Sequence, residues 1–316
     1  MGKLVNGIWH DVWYDTESSD GKFVREDAGF RDWIKDQKDA RFQPESGRYH
    51  LYVSLACPWA HRTLIFRQLK GLVEHIGVSV VSPDMLGEGW QFDEPEPLFG
   101  FRHAHQLYTQ AKPDYTGRVT VPILWDKHSK TIVSNESSEI IRMFNHAFNS
   151  LTGNHDDYYP EPLRENIDQW NDFVYPNINN GVYRCGFATS QQAYEEAYDQ
   201  LFDALDKVDA HLASSRYLLG SQITEADWRL FTTLVRFDAV YVGHFKCNKQ
   251  RISDYANLQG YLKELYQVAG VKETTNFEHI KRHYYFSHTG INPTQVIPKG
   301  PMLDLDSAHG REKIKR

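Results

Sequence analysis

Apolar and polar positions alternate from His50 to Leu55, with Leu51 and Val53 on one face, and this alternation predicts a strand. From Pro58 the period changes. Trp59, Leu64, Ile65, Phe66 and Leu69 recur at helical spacing, and Pro58 suits the first helical position, where a missing N–H costs nothing. A second strand is expected at Val78–Val81, after Gly77. Strand, helix, strand implies a parallel pair with a right-handed crossover. The connection 82–117 that follows is dense in Pro, Gly, Asp and Glu, and connections of that length are usually functional or mobile. Ahead of the first strand, residues 1–45 carry Trp9, Trp13, Tyr14, Phe23, Phe30, Trp33 and Phe42 among charges. This extension is too rich in large apolar groups to stay a free tail, and is expected to wrap along the body or a partner subunit.

Val119–Trp125 reads as an apolar strand containing Pro122, which belongs at an edge or bulge because proline cannot donate to a ladder. Thr131–Ser134 pairs back as a hairpin. Ser134 and Asn135 then offer N-caps for a helix carrying Ile140, Ile141, Met143 and Phe144. The order β-α-β, insertion, β-β-α is that of a thioredoxin-like sheet, and Pro122 stands where that fold puts a cis-proline beside its cysteine. Gly153, Pro160 and Pro162 mark a linker at 149–162, and the chain beyond reads as helices. One starts at Leu163–Phe173. Gln191–Leu212 is long and amphipathic, with Ala197, Leu201, Leu205, Val208 and Leu212 on a stripe. Thr224 and Asp227 form a capping box, with Ile223 and Trp228 as staple, for a buried helix Ala226–Tyr241, and Leu258–Val268 follows. The tail from Ile291 holds prolines and ends in charges, so its last dozen residues are expected to be loose. The fold class is α/β plus all-α: an extension at 1–45, a thioredoxin-like domain at 46–150 with its insertion at 82–117, an all-helical domain at 161–290 and a tail at 291–316.

Charge and cysteine usage narrow the function. With 35 basic and 42 acidic residues the net charge of −7 argues against a nucleic-acid or anionic-membrane partner. No apolar run approaches the ~20 residues that span a bilayer, and the N-terminus shows no signal core. The high aromatic content suits flat ligands or a bulky core equally. Cys57, Cys185 and Cys247 are far apart and fit neither a disulfide framework nor a zinc site, which implies a reducing, cytoplasmic setting. Free cysteines are most often small buried hydrophobes, but Cys57 sits at a strand-to-helix turn facing unpaired amides, where a thiolate is stabilised. The fourth residue of Cys57-Pro58-Trp59-Ala60 is not a second cysteine, so an outside thiol must complete any disulfide cycle. His61 points a turn away and reads as structural or surface. Cys185, two residues after Tyr183, is expected near a substrate pocket but lacks a helix-start context, and Cys247 is expected to pack.

Cys57–Arg62, Ser134–Ile140 and Ile223–Phe231 together resemble a glutathione transferase. The Gly89-Trp90 element, Arg118–Pro122, Asn180–Arg184 and His283–His288 are similar to the glutathionyl-hydroquinone reductases, the Xi-class transferases, over nearly the whole chain. The resemblance implies Cys57 as nucleophile, Tyr183 as proton donor and acceptor, and Tyr241 and Tyr284 as groups that lower the pKa of Cys57. It implies that Trp90, Arg118, Val119, Thr120, Val121, Glu136 and Ser137 bind glutathione. Such residues suit a tripeptide with two carboxylates and an ammonium: Val121 as a pairing edge, the Glu136 helix start for a carboxylate and the ammonium, and Arg118 as a forked cation. Plain alternatives exist for each. Glu136 and Ser137 serve equally as helix caps, Arg118 as a surface charge, Trp90 as a loop anchor and the tyrosines as packing; spacing does not separate Tyr284 from Tyr285. The implied activity is reductive removal of glutathione from glutathionyl-hydroquinones, with glutathione as co-substrate, no metal or flavin, and a homodimeric assembly. The alternatives are an omega-like thioltransferase or dehydroascorbate reductase using the same thiolate, and a non-catalytic interaction module of the same fold.

Overall fold

The computed structural model describes residues 2–314 and divides into two compact units, neither continuous in sequence. The first holds the described residues of Met1–Trp13, Glu26–Asp157 and Thr274–Ser287. Its strands are β1 (Lys3–Val5), β2 (Ile8–His10), β3 (Tyr49–Val53), β4 (Gly77–Val80), β5 (Gly117–Arg118), β6 (Ile123–Asp126) and β7 (Thr131–Ser134). Helices α1 (Pro58–Leu69), α2 (Ala104–Ala111), α3 (Ser137–His146) and the single turn α4 (Asn149–Thr152) lie between and after them. The central sheet runs β4-β3-β6-β7, with β3 parallel to β4 and antiparallel to β6. This is the thioredoxin-like order. Arg48 and Asp126 pin the register of β3 against β6. The guanidinium donates from Nε at 2.7 Å and Nη2 at 3.0 Å to the two carboxylate oxygens, a forked pair buried at the sheet's end.

The predicted strand Val119–Trp125 is shorter than its apolar run. Only Ile123–Asp126 joins the central ladder, while Gly117–Arg118 pairs with β1 in a second sheet of order β2-β1-β5. Val119–Pro122 therefore belongs to neither ladder, and the Val121–Pro122 bond is cis. The N-cap of α3 is Glu136, whose carboxylate accepts from Ser138 N at 2.9 Å, rather than Ser134 or Asn135. Both of those side chains are taken elsewhere: Ser134 Oγ accepts from Glu136 N, and Asn135 Oδ1 accepts from Phe30 N.

The extension is built into the units rather than laid over them. Asn6 and Gly7 both have positive φ and close a two-residue hairpin between β1 and β2, the conformation that this dipeptide favours. Tyr14–Arg25 belongs to the second unit with Tyr158–Glu273 and His288–Arg316. There Ser190 Oγ donates to Asp20 O at 2.9 Å and Lys22 pairs with Glu196 at 2.8 Å.

The second unit is helical: α5 (Arg164–Val174), α6 (Gly181–Gly186), α7 (Gln191–Leu212), α8 (Glu225–Arg236) and α9 (Leu258–Tyr266). The stripe of α7 is buried as its spacing requires. Thr224 and Asp227 close the expected capping box on α8, and Asp227 also accepts from Leu218 N and the Tyr261 hydroxyl. The helix expected to run to Tyr241 ends at Arg236 and continues as a π-helical turn, Phe237–Tyr241; another, Tyr175–Asn179, follows α5. Such turns recur at functional sites.

Two expectations are corrected. The last helix, α10 (Phe277–Ser287), lies with the α/β unit and not with the helical one. The tail is anchored at two points: Leu305 and Arg311 are buried, and Arg311 Nη2 donates to the carbonyls of Leu212, Ser215 and Arg216 at 2.8–3.2 Å, while residues 315–316 of the expected loose end lie outside the described residues. The guanidinium meets the last carbonyl of α7 and two more in the turn after it, which outweighs the tail's polar composition.

Candidate active site

Cys57 is the N-cap residue of α1, with extended backbone (φ −76°, ψ 122°) and Pro58 in the first turn. Its N–H donates to Ser54 O at 3.2 Å and its carbonyl accepts from His61 N at 3.0 Å, so the turn between β3 and α1 is fixed on both sides of the thiol. Sγ lies 3.5 Å from the Val121 carbonyl oxygen, and the residue is 8% exposed. The buried thiol thus stands at the start of α1, the end of a helix where unpaired amides face a negative group. Cys185 and Cys247 lie in the helical unit and are buried; burial, then the neighbouring Cys185 thiol, push the Cys247 thiol well up. His61 is buried and shares a 2.8 Å hydrogen bond between Nε2 and Thr274 Oγ1, a structural role.

The wall opposite the thiol is Val119–Pro122. Tyr108, fully buried on α2, holds it. Its hydroxyl donates to Thr120 O at 2.8 Å and accepts from Thr120 N at 3.1 Å and Asn135 Nδ2 at 3.0 Å. Burial raises the Tyr108 pKa, so the hydroxyl keeps its proton for that carbonyl. Val119 and Val121 are buried. Among the described residues the Val121 N–H makes no hydrogen bond, leaving an amide for an added strand. At the start of α3, Glu136 uses Oε1 for Ser138 N and Ser138 Oγ, which leaves Oε2, and the buried Ser137 hydroxyl lies 3.5 Å from Arg62 Nη1.

Arg118 departs from the expectation. It is buried, and its fork is committed to the chain's own acceptors: Val12 O at 2.6 Å, Trp13 O at 3.0 Å and Glu26 Oε1 at 3.2 Å. It braces the extension and does not present its cation to a ligand carboxylate. Trp90 is also an anchor, its ring stacked on His283 at 4.7 Å and 21°. On α10, His283 Nδ1 donates to Pro83 O at 2.9 Å, and Arg282 pairs with Asp84 through two bonds of 2.6 Å. The first turn of the insertion is thereby tied to α10. Tyr284 is buried on the same helix while Tyr285 is half-buried, which separates two residues that spacing left equivalent.

Tyr183 and Tyr241 belong to the helical unit. Tyr183 follows one π-helical turn, on α6, and Tyr241 closes the other. Their rings are 6.2 Å apart within a cluster of Phe23, Phe187 and Phe245, and the Arg25 guanidinium lies 5.0 Å from the Tyr183 ring. Gly186 is required there, since a Cβ would fall 2.1 Å from the Phe245 ring. Phe23, Phe187, Phe245 and Arg25 are neighbours that the sequence did not assign to the cluster.

Family models for the glutathione S-transferase N-terminal and C-terminal domains match residues 56–147 and 191–264. The glutathionyl-hydroquinone reductase YqjG of Escherichia coli is 55% identical, over 99% of each chain. The glutathionyl-hydroquinone reductase PcpF of Sphingobium chlorophenolicum is 53% identical, over 96% of this chain and 98% of that one. The Xi-class transferase structure from Natrialba magadii superposes with a TM-score of 0.92 at 48% identity, covering 99% of this chain and 97% of that one. The chain belongs to the Xi-class glutathione transferase family. The glutathione-bound structure of YqjG superposes on this Xi-class chain with a TM-score of 0.90, at 52% identity and 99% coverage of both. In this Xi-class member no helix among the described residues is long and apolar enough to cross a membrane.

Proposed function

We propose that this chain is a glutathionyl-hydroquinone reductase, removing glutathione from the thioether of an aromatic hydroquinone. The observation that carries it is Cys57 as N-cap of α1, its sulfur 3.5 Å from the carbonyl of a residue whose N–H is unpaired. Full-length similarity to two reductases of that name supports the substrate class.

Glutathione lies in an extended conformation against Val121, its cysteinyl amide groups paired with that residue's backbone. The start of α3, with Ser137 and the second oxygen of Glu136, receives its γ-glutamyl carboxylate and ammonium. The Cys57 thiolate attacks the glutathionyl sulfur. A sulfur–sulfur bond forms, the sulfur–aryl bond breaks, and its electron pair leaves on the aryl carbon. Tyr183 protonates that carbon as a positioned general acid, giving the hydroquinone. A second glutathione thiolate attacks the Cys57 mixed disulfide, releases glutathione disulfide and regenerates Cys57. The thioether sulfur and the thiol sulfur of the second glutathione are each oxidised by one electron, and the aryl carbon is reduced by two. Tyr241 and Tyr284 support the thiolate, since hydrogen bonds to the charged form favour it. The three free cysteines suit a reducing, cytoplasmic compartment, and the assembly is a homodimer, which sedimentation at micromolar concentration tests.

The decisive experiment is mass spectrometry after one turnover of a glutathionyl-hydroquinone with no added glutathione. The expected result is one glutathione on Cys57, absent in Cys57→Ser. Turnover of a small mixed disulfide but not of the hydroquinone conjugate would overturn the assignment in favour of a thioltransferase.

A further inference from the structure

Away from the thiol, the insertion brings Glu88, His103 and His105 together, with one ligand atom of each within 4.8 Å of the others. The side chains are held from several directions. Gly89 N donates to Leu86 O at 2.8 Å, closing a turn that presents Glu88, and the Trp9 indole N–H donates to Gly87 O at 2.9 Å to brace it. His103 caps α2 by accepting from the Gln106 N–H, which fixes its ring. His105 is stacked between two rings, Trp9 at 5.0 Å and His103 at 5.3 Å. Its Nε2 is a buried atom without a hydrogen bond, and Glu88 Oε2 stands 3.5 Å away. That Glu88 contact is an ion pair at the long end of hydrogen-bond range, so a cation seated between the carboxylate and the ring nitrogen would satisfy both.

We propose that Glu88, His103 and His105 form a binding site for a late first-row divalent cation such as Zn²⁺. Two neutral imidazoles and a carboxylate are a donor set that Zn²⁺ accepts, with water in the fourth position. Tetrahedral bonds of about 2.1 Å place neighbouring ligand atoms about 3.4 Å apart. The His105–Glu88 pair already has that spacing, and the His103 ligand atom lies within 4.8 Å of both. The bound ion would join the Glu88 turn to the start of α2. Gln91 pairs with His103 and Trp90 O accepts from Ala104 N at 2.9 Å, so the ion would clasp the strand that carries Trp90. The site escaped the sequence because Glu88 and the two histidines lie on opposite arms of the insertion.

The test is titration of the metal-stripped protein with Co²⁺ and Zn²⁺, followed by absorption and calorimetry. One ion per chain is expected, with visible cobalt bands and no ultraviolet thiolate-to-metal band, which separates this site from Cys57. Glu88→Gln removes an exposed side chain and leaves the fold intact; it should weaken binding by about tenfold or more, as should His105→Gln. Circular dichroism reads folding of each variant independently. No binding by the wild type, a thiolate band, or affinity unchanged in both variants would overturn the proposal.

Discussion

Tyr108→Phe removes one oxygen and keeps the ring, so it isolates what the hydroxyl does for the wall facing Cys57. That oxygen serves four groups: the carbonyl, N–H and hydroxyl of Thr120 and the Asn135 amide. Asn135 Nδ2 retains Thr120 Oγ1 at 3.2 Å. The Thr120 N–H and carbonyl each lose a buried partner. At roughly 1–3 kcal/mol for each buried group left unpaired, less relaxation, the variant should lose about 2–4 kcal/mol. The loss should appear in urea unfolding at neutral pH as a lower midpoint with an unchanged slope. Because Thr120 precedes the residue against which glutathione is placed, KM for glutathione should rise severalfold, while kcat at saturation falls less. A loss below about 0.5 kcal/mol with KM unaltered would refute the account of Tyr108 as the support of that wall.

Tyr183→Phe should lower kcat for the hydroquinone conjugate by roughly 10²-fold or more and leave mixed-disulfide formation with small disulfides nearly intact, since only the aryl carbon needs its proton; stopped-flow product analysis checks this. Asp227→Ala leaves Leu218 N, Thr224 N and the hydroxyls of Thr224 and Tyr261 without their acceptor. It should cost about 3–5 kcal/mol, read by calorimetry as a melting temperature lower by roughly 10 °C. Burial alone would raise the pKa of Asp126, but the bonds from Arg48, Ser129 and the His128 amide outweigh it and bring it down to about 2. A lowered folded pKa means that the stabilisation is complete above the unfolded value of 3.8 and lost as pH falls from there through about 2. After screening by nearby water the contribution is about 1–2 kcal/mol, and Asp126→Asn should flatten this part of the stability-versus-pH curve.

Local patterns were legible where a residue's partners lie nearby in the chain. The turn at Cys57 followed from one alternation, one period and one proline, and the bounds of α7 and the Thr224–Asp227 box followed from spacing alone. The Asn6-Gly7 hairpin carries its signal in the dipeptide alone. What spacing could not give was competition from remote groups. Phe30 and Tyr108 take Asn135 away from its helix, the extension's carbonyls take the Arg118 fork, and three carbonyls near the end of α7 take Arg311. The tyrosines came from the family resemblance, because burial among aromatic neighbours looks the same in sequence whether a ring packs or reacts.

The placement of α10 has a consequence for biosynthesis. Thr274–Ser287 belongs to the same unit as Cys57 and supplies the groups that hold Pro83, Asp84 and Trp90. A nascent chain therefore exposes Cys57 on the ribosome long before the segment that finishes that half has been translated. Domains emerging first commonly fold first; here the half that is begun early must wait for Thr274–Ser287, after the whole of Tyr158–Glu273 has been made. Premature termination before Thr274 would thus release a thiol-bearing fragment without its closing helix, a natural substrate for proteolytic quality control.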